Sequence, residues 1–224
     1  MPREAILCDI EGTTTSLSFV HDVLFPLSYN SMEDFVSRHW NSDQIQPEIA
    51  LIRHEISKVD AGPGEIIAVL KSWIGEDRKE KALKSIQGKI WKDAFESGQI
   101  RGHVYPDVSP NFRKWKDSGI KICIFSSGSI EAQKLIFQYS EAGDLSKYVS
   151  AYFDTNTGPK KEASSYQGIA SRLALPAEDI LFLSDVEAEL DVARTAKMQT
   201  TQVLREGVTP NNSGHPTARS FDEI

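Results

Sequence analysis

The sequence predicts an α/β protein in which a doubly wound parallel sheet is interrupted by an inserted helical domain. From Pro106 to Leu204, apolar strand-like segments alternate with segments of helical periodicity. This alternation is typical of a parallel sheet with helices on both faces. A separate apolar segment, Ala5–Cys8, is followed by an acidic residue and a turn that contains glycine. This pattern favours a first strand of the same sheet, although so short a segment is also compatible with a helix. Between Ser16 and Ile100 the apolar residues have helical spacing and form no convincing strand.

The composition narrows the class of partner. The 224-residue chain carries a formal net charge of −7, with 40% hydrophobic and 25% charged residues, as is ordinary for a globular protein with a real core. Without a basic surplus, duplex nucleic acid and anionic membranes are not expected partners, whereas a small phosphorylated substrate needs only local cations or a metal.

The same sequence features predict a soluble, reduced, cytoplasmic protein. The start of the chain lacks the cationic and apolar regions of a secretory signal, and no apolar segment approaches the ~18–20 residues of a membrane span. Cys8 and Cys123 fall inside apolar segments, where a cysteine is usually a buried thiol, and their spacing suits neither a disulfide framework nor a zinc site.

Helical periodicity divides the insert into successive segments. Its apolar positions recur over residues 19–27, 32–40, 49–59, 66–74 and 83–91, with a break at Ala61–Gly64. We therefore predict a helical domain over residues 18–102 and a sheet domain formed by residues 1–17 and 103–224.

The sheet domain resumes after the insert. Strands are predicted at Ile120–Phe125, Tyr148–Phe153, Ile180–Leu183 and Gln199–Leu204. Helices are predicted around Phe112–Lys116 and at Glu131–Tyr139, Tyr166–Leu173 and Glu187–Ala196. The Asn-, Gly- and Pro-rich tail from Pro210 predicts a loop.

Polar residues follow four of the predicted strands. They are Asp9 with Glu11, then Ser126–Ser129, then Asp154 with Lys160, and finally Asp185. Ligands of open α/β sheets bind at the carboxyl ends of the strands, so we expect these side chains to lie together. Each one alone is also compatible with a structural role, such as a helix cap or a solvated turn.

Together these residues could support phosphoryl transfer. Asp9 could attack phosphorus, as in enzymes that form an aspartyl phosphate, and the carboxylates of Asp9 and Asp185 suit magnesium. Ser126 and the backbone N–H groups after it could hold phosphate oxygens at a helix start, and Lys160 adds a positive charge. Glu11 could protonate the leaving oxygen.

These motifs resemble the haloacid dehalogenase superfamily, with Glu11 where that superfamily usually has a second Asp. Further motifs resemble the enolase-phosphatases, the acireductone synthases of methionine salvage, over nearly the whole chain. They are Asp9–Thr14, Phe25-Pro26, Leu83 with Gln87-Gly88 and Trp91, Tyr105–Val108, Ser126–Ser129 with Ala132–Leu135, Phe153–Thr155, Gly158-x-Lys160-x-Glu162 with Ser165-Tyr166, and Leu181–Asp185.

The resemblance implies a Rossmann-like core with a helical cap, one magnesium ion per subunit, and a role for each site residue. Asp9 would be the nucleophile and a metal ligand, and Glu11 the acid/base and a ligand through its carbonyl. The remaining roles would be phosphate binding by Ser126, Ser127 and Lys160, and metal binding by Asp185. Lys161 is the alternative lysine, but the Gly-x-Lys-x-Glu frame favours Lys160; Glu189 would support the site from behind.

The implied reaction is enolisation and dephosphorylation of 5-methylthio-2,3-dioxopentyl phosphate to 1,2-dihydroxy-5-methylthiopent-1-en-3-one. The resemblance also implies a monomer and allows a nuclear as well as a cytoplasmic location. Two alternatives stay open at this point. One is a general small-molecule phosphatase of the same superfamily, and the other is a binding scaffold, although a scaffold would need none of Asp9, Glu11, Lys160 and Asp185.

Overall fold

The computed structural model describes residues 3–205 and 214–224, and the chain divides into two compact units. One unit comprises Met1–Leu17 with Arg101–Ile224, and the other comprises Ser18–Ile100. The second boundary lies slightly before the predicted one at 102/103, since the Gly102 N–H donates to the Tyr139 carbonyl at 2.9 Å.

Within the described residues of the sheet unit, six strands form one parallel sheet, which confirms the predicted α/β fold class. Its strands are β1 Ala5–Cys8, β2 Lys121–Phe125, β3 Val149–Phe153, β4 Ile180–Ser184, β5 Gln199–Val203 and β6 Thr217–Ala218. They lie in the order β3-β2-β1-β4-β5-β6, so the sheet is wound in both directions from β1.

The predicted loop from Pro210 begins outside the described residues, and its described part is not entirely a loop. Thr217 and Ala218 pair with Gln202 and Val203 to form β6, and a short 3₁₀-helix follows at Phe221–Glu223. A two-residue strand is too short to produce a detectable alternation of polar and apolar residues, so the prediction was wrong here.

Eight α-helices lie within the described ranges. In the helical unit they are α1 Phe25–His39, α2 Gln46–Glu55, α3 Pro63–Gly75 and α4 Lys81–Glu96; in the sheet unit they are α5 Val108–Asp117, α6 Ile130–Gln138, α7 Ala163–Leu173 and α8 Glu187–Thr195. In the part of the chain that is described, none of the helices has the length and apolar character needed to cross a membrane.

The helical unit has its own core, built from the apolar faces of α1 to α4. Its buried side chains include Met32, Phe35, Val36, Ile49, Ile52, Ile66, Leu70, Leu83, Ile86 and Ile90, all of them at predicted helical positions. Two details differ from the prediction. Residues Phe19–Leu24 form a π-helix, and Val59 is 85% exposed because α2 already ends at Glu55.

The register of the central strands positions the polar residues that follow them. Cys8 of β1 aligns with Ile124 of β2 on one side and with Leu183 of β4 on the other. The segments after these three strands therefore leave the sheet side by side at one edge, where ligands bind in open parallel sheets.

Candidate active site

The loop after β1 is held by its own backbone. The N–H groups of Thr13, Thr14 and Thr15 all donate to the Ile10 carbonyl, at 3.1, 2.9 and 2.9 Å. Asp9 is buried, and its Oδ1 accepts the Ile10 N–H at 2.7 Å. The Asp9 carboxylate is therefore fixed at the edge of the sheet before any ligand arrives.

Gly12 brings this loop against the end of β4. Its φ is +72°, and a Cβ atom there would lie 2.3 Å from Oδ2 of Asp185. The Asp185 N–H donates to Oγ1 of Thr13 at 3.1 Å, and the Gln202 side chain donates to the Asp185 carbonyl at 3.1 Å. Only a glycine allows the two acidic segments to approach so closely.

Lys160 is the cation of the site. Its Nζ lies 2.5 Å from Oδ1 of Asp9 and 3.0 Å from Oε2 of Glu189, and 11% of its side chain is exposed. Burial disfavours the charged amine, but the carboxylates of Asp9 and Glu189 outweigh that effect and raise the pKa of Lys160. Lys160 is therefore an ammonium at neutral pH.

Ser184 was not singled out from the sequence, and it connects two of the acids. Its fully buried Oγ lies 3.3 Å from Oδ2 of Asp9 and 3.2 Å from Oε2 of Glu189, and it accepts the Val186 N–H at 3.1 Å. Its only signals in the sequence were its place at the end of β4 and within the motif Leu181–Asp185, neither of which gives it a role. Most serines in strands have only a structural role, so this position did not predict a functional one.

The site has more negative charge than Lys160 can balance. Burial and the neighbouring Asp9 raise the pKa of Asp185 to about 6, and the same two causes raise the pKa of Glu189 to about 6. Oδ1 of Asp185 is buried and has no hydrogen-bond partner among the described residues. A carboxylate oxygen left in this state, next to a second carboxylate, fits a divalent cation.

No ready-made metal centre of three or more His, Cys, Asp or Glu side chains occurs in residues 3–205 and 214–224. This finding is compatible with the predicted ligand set, which needs only the Asp9 and Asp185 side chains and one backbone carbonyl. The residues present therefore fit a hard, oxygen-loving ion such as magnesium.

The Ser126–Ser129 turn after β2 has the form of an anion-binding loop. Oγ of buried Ser126 accepts the Gly128 N–H at 3.1 Å, and Oγ of Ser129 caps α6 by accepting the Ala132 N–H at 3.2 Å. Ser127 lies between them and is exposed. The turn is thus preorganised at the start of a helix, where backbone dipoles favour phosphate.

The predicted site residues differ in how closely they approach one another. Asp9 and Lys160 are in direct contact, whereas Glu11 is half-buried on the same loop as Asp9 and Lys161 is exposed. Asp154 instead shapes its own turn, because its two carboxylate oxygens accept the backbone and side-chain N–H groups of Asn156 at 2.9 and 3.0 Å.

Arg205 stabilises the loop that follows Asp9. Its Nε and Nη2 donate to the Thr13 carbonyl at 3.0 and 2.8 Å, and its Nη1 donates to both carboxylate oxygens of Asp107 at 2.9 Å. The guanidinium carbon lies 4.1 Å from the ring centre of Tyr105 and 5.0 Å from that of Phe221. Sequence reasoning missed this residue, since its partners lie far away along the chain.

Comparisons with known proteins identify similar sequences over the whole chain. A family model described as haloacid dehalogenase-like hydrolase matches residues 4–197. The chain is 50% identical over 224 residues to a protein named enolase-phosphatase E1 from Pseudomonas aeruginosa strain LESB58, covering 100% of this chain and 99% of that protein. The protein of the same name from Sorangium cellulosum is 46% identical over 227 residues, covering 100% and 98%.

A solved structure has the same fold over the whole chain. The crystal structure of the UTR4 protein from Saccharomyces cerevisiae superposes with a TM-score of 0.86 at 31% sequence identity, covering 99% of this chain and 100% of that one. The match therefore covers the residues of both the sheet unit and the helical unit.

Proposed function

The chain belongs to the enolase-phosphatases of the haloacid dehalogenase-like hydrolases, and on that premise we propose how its residues carry out the reaction. It is an enzyme that converts 5-methylthio-2,3-dioxopentyl phosphate to 1,2-dihydroxy-5-methylthiopent-1-en-3-one and phosphate, in methionine salvage. The observation that carries the mechanism is the buried contact between the Lys160 ammonium and the Asp9 carboxylate, beside Asp185.

The first step is enolisation, with Glu11 as the base. Glu11 removes a proton from the carbon that bears the phosphate ester, and the electron pair moves to the neighbouring carbonyl, whose oxygen takes a proton from solvent. Glu has one more methylene than Asp, so its carboxyl group reaches both this carbon and the ester oxygen beside it. A group with both tasks works best with a pKa near the operating pH.

The second step is phosphoryl transfer to Asp9. An Asp9 oxygen forms a bond to phosphorus while the bond from phosphorus to the ester oxygen breaks, and Glu11 returns its proton to that oxygen. Water then hydrolyses the aspartyl phosphate and releases phosphate. The phosphate oxygens are held by Ser126, Ser127 and the Lys160 ammonium, which is already seated against the nucleophile.

Magnesium is the proposed cofactor, with one ion per subunit. The Asp9 and Asp185 carboxylates and the Glu11 carbonyl would hold it. The buried Oδ1 of Asp185, which has no hydrogen-bond partner among the described residues, supports this assignment. A bound magnesium ion supplies positive charge where one anion must approach another. We also propose that the helical unit is the cap domain and that the enzyme is monomeric and cytoplasmic.

Two variants separate the steps. Asp9→Asn removes the nucleophile but retains the proton chemistry, so it should block phosphate release while some enolisation persists; Glu11→Gln should suppress both. Phosphate release and enediol absorbance are followed together, and exchange of carbon-bound hydrogen in heavy water reports enolisation after correction for the spontaneous rate. If Glu11→Gln exchanges as fast as the parent enzyme, another group is the base. A panel of other phosphate esters tests whether the enzyme is a general phosphatase.

A further inference from the structure

Lys160 belongs to a loop, yet its ammonium must be placed to within a fraction of an ångström between Asp9 and a substrate phosphate. The loop runs from the end of β3 at Phe153 to the start of α7 at Ala163. Loops are usually the more mobile parts of a fold. Something must therefore hold the backbone at Lys160, and the contacts of that backbone identify it.

Two consecutive side chains of the first turn of α7 hold two consecutive carbonyls of the loop. Oγ of Ser165 donates to the Pro159 carbonyl at 2.7 Å, and the hydroxyl of Tyr166 donates to the Lys160 carbonyl at 2.9 Å. Gly158 permits this close approach, because a Cβ atom there would lie 2.2 Å from Oγ of Ser165 and its φ is +142°.

The ring of Tyr166 packs against the strands that carry the site and so links them to these two hydrogen bonds. Tyr166 is fully buried, and its ring meets Phe125 and Phe182 edge-on, with centroid distances of 5.6 and 5.2 Å. Phe125 is the last residue of β2, directly before Ser126, and Phe182 lies in β4. The hydroxyl is thus held at a fixed distance from the two strands that carry the phosphate turn and Asp185.

The same aromatic ring surface supports the lysine side chain. Nζ of Lys160 lies 5.8 Å from the ring centre of Phe125. Tyr166 therefore fixes the backbone of Lys160, and Phe125 lies next to the Lys160 ammonium. The two aromatic rings pack against each other. Burial raises the pKa of the Tyr166 phenol well above its ordinary range, so the hydroxyl stays protonated and remains a donor.

We infer that Ser165 and Tyr166 are positioning residues that set the location of the Lys160 ammonium, and this inference rests on the proposed role of Lys160 in phosphate binding. Neither residue needs to touch the substrate. Removing the Tyr166 hydroxyl should let the Lys160 backbone shift, which weakens the phosphate contact more in the transition state than in the ground state. The loss should therefore appear mainly in kcat and in affinity for inorganic phosphate.

The test compares single-hydroxyl deletions in the full chain. Tyr166→Phe and Ser165→Ala remove one hydroxyl each, and Tyr152→Phe is the matched control, since the buried Tyr152 hydroxyl has no hydrogen-bond partner among the described residues. We expect each test variant to lower kcat and weaken inhibition by orthophosphate by about three- to ten-fold, the range of one lost hydrogen bond. The control should change both by less than about two-fold, and its thermal unfolding shows what loss of a buried hydroxyl alone does to stability.

A double-mutant cycle then separates positioning from a general structural effect. If Tyr166 acts through the lysine, Tyr166→Phe should change orthophosphate affinity little once Lys160→Ala is present, whereas its effect on unfolding should persist. An equal fold-loss in both backgrounds, or full kcat in Tyr166→Phe while Lys160→Ala is impaired, would overturn this inference alone. Full activity of Lys160→Ala would instead overturn the proposed phosphate site.

Discussion

Nζ of Lys160 lies 2.5 Å from Oδ1 of Asp9, and the two side chains are only 11% and 6% exposed. Because so little water screens this pair, Lys160→Ala should lower the rate of phosphate release by ~10²–10³-fold, the usual effect of removing one such group. The matched control is Lys161→Ala. Lys161 is exposed on the same loop, so its removal should leave the rate nearly unchanged. Equal losses in steady-state phosphate release would mean that the lysines were wrongly assigned.

Metal removal should abolish turnover. Asp9 and Asp185 offer hard carboxylate oxygens. Magnesium takes six oxygen ligands in a tight octahedron, several of which are usually waters, whereas calcium accepts a larger and looser shell. Enzyme dialysed against a chelator should regain phosphatase activity with magnesium and remain inactive with calcium. Full activity in excess chelator would contradict the proposed cofactor. An Asp185→Asn variant should need a higher magnesium concentration for half-maximal activity than the parent.

Gly12→Ala should damage both activity and stability. The added methyl would meet Oδ2 of Asp185 at 2.3 Å, and the φ of +72° is strained for alanine. We expect unfolding to become easier by about 1–3 kcal/mol, together with a large loss of kcat as Asp185 is pushed aside. Urea unfolding and phosphate release measure the two effects.

Gly168→Ala provides the control for this substitution. Gly168 lies inside α7, and a Cβ atom there would have nothing within 4 Å. Alanine should stabilise that helix by about 0.5–1 kcal/mol with little change in rate. A Gly12→Ala variant as stable and active as Gly168→Ala would show that the loop tolerates a side chain.

Glu48 should make the helical unit sensitive to acid. Burial favours the neutral carboxyl, but hydrogen bonds from Lys89 and Ser85 outweigh it and lower the pKa of Glu48. The lowered pKa means that the stabilisation is fully present above the unfolded pKa of about 4.3 and is lost as the pH falls through the folded value. At pH 7, Glu48→Gln should destabilise the protein by about 1 kcal/mol.

The dependence on pH is the decisive part of this prediction. The difference in unfolding free energy between the parent and Glu48→Gln should shrink as the pH falls below about 4. Glu33→Gln is the control, because Glu33 is 71% exposed and its ion pair with Lys71 should contribute less than about 0.5 kcal/mol. A difference that is constant with pH would assign the effect of Glu48→Gln to packing.

The fold was predictable because its signals are local. The three central strands β1, β2 and β4 are buried apolar runs, and the register that aligns Cys8 with Ile124 and Leu183 follows from parallel pairing of such runs. The two-residue β6 gave no such signal, and neither did the π-helix at Phe19–Leu24, which differs from an α-helix by one residue in a turn.

The site was predictable only as far as its residues follow strands. Asp9 and Lys160 were expected to lie close together and are in contact, because each follows the carboxyl end of a strand in the same parallel sheet. Ser184 and Tyr166 stand in motifs of the sequence, but their roles, like that of Arg205, could not be predicted because they depend on contacts with distant segments. The catalytic and metal-binding roles themselves stay predictions until the variants are measured.

Thr13 and Arg205 are separated by 192 residues, and yet the first depends on the second for two of the hydrogen bonds to its carbonyl. Ribosomes make Thr13 early and Arg205 late, and contacts of such long sequence separation slow folding because closing the intervening loop costs entropy. The nucleophile loop of a nascent chain is therefore expected to stay loose through most of translation. Chains that have not yet added Arg205 should therefore show little phosphatase activity and would not hydrolyse cellular phosphate esters.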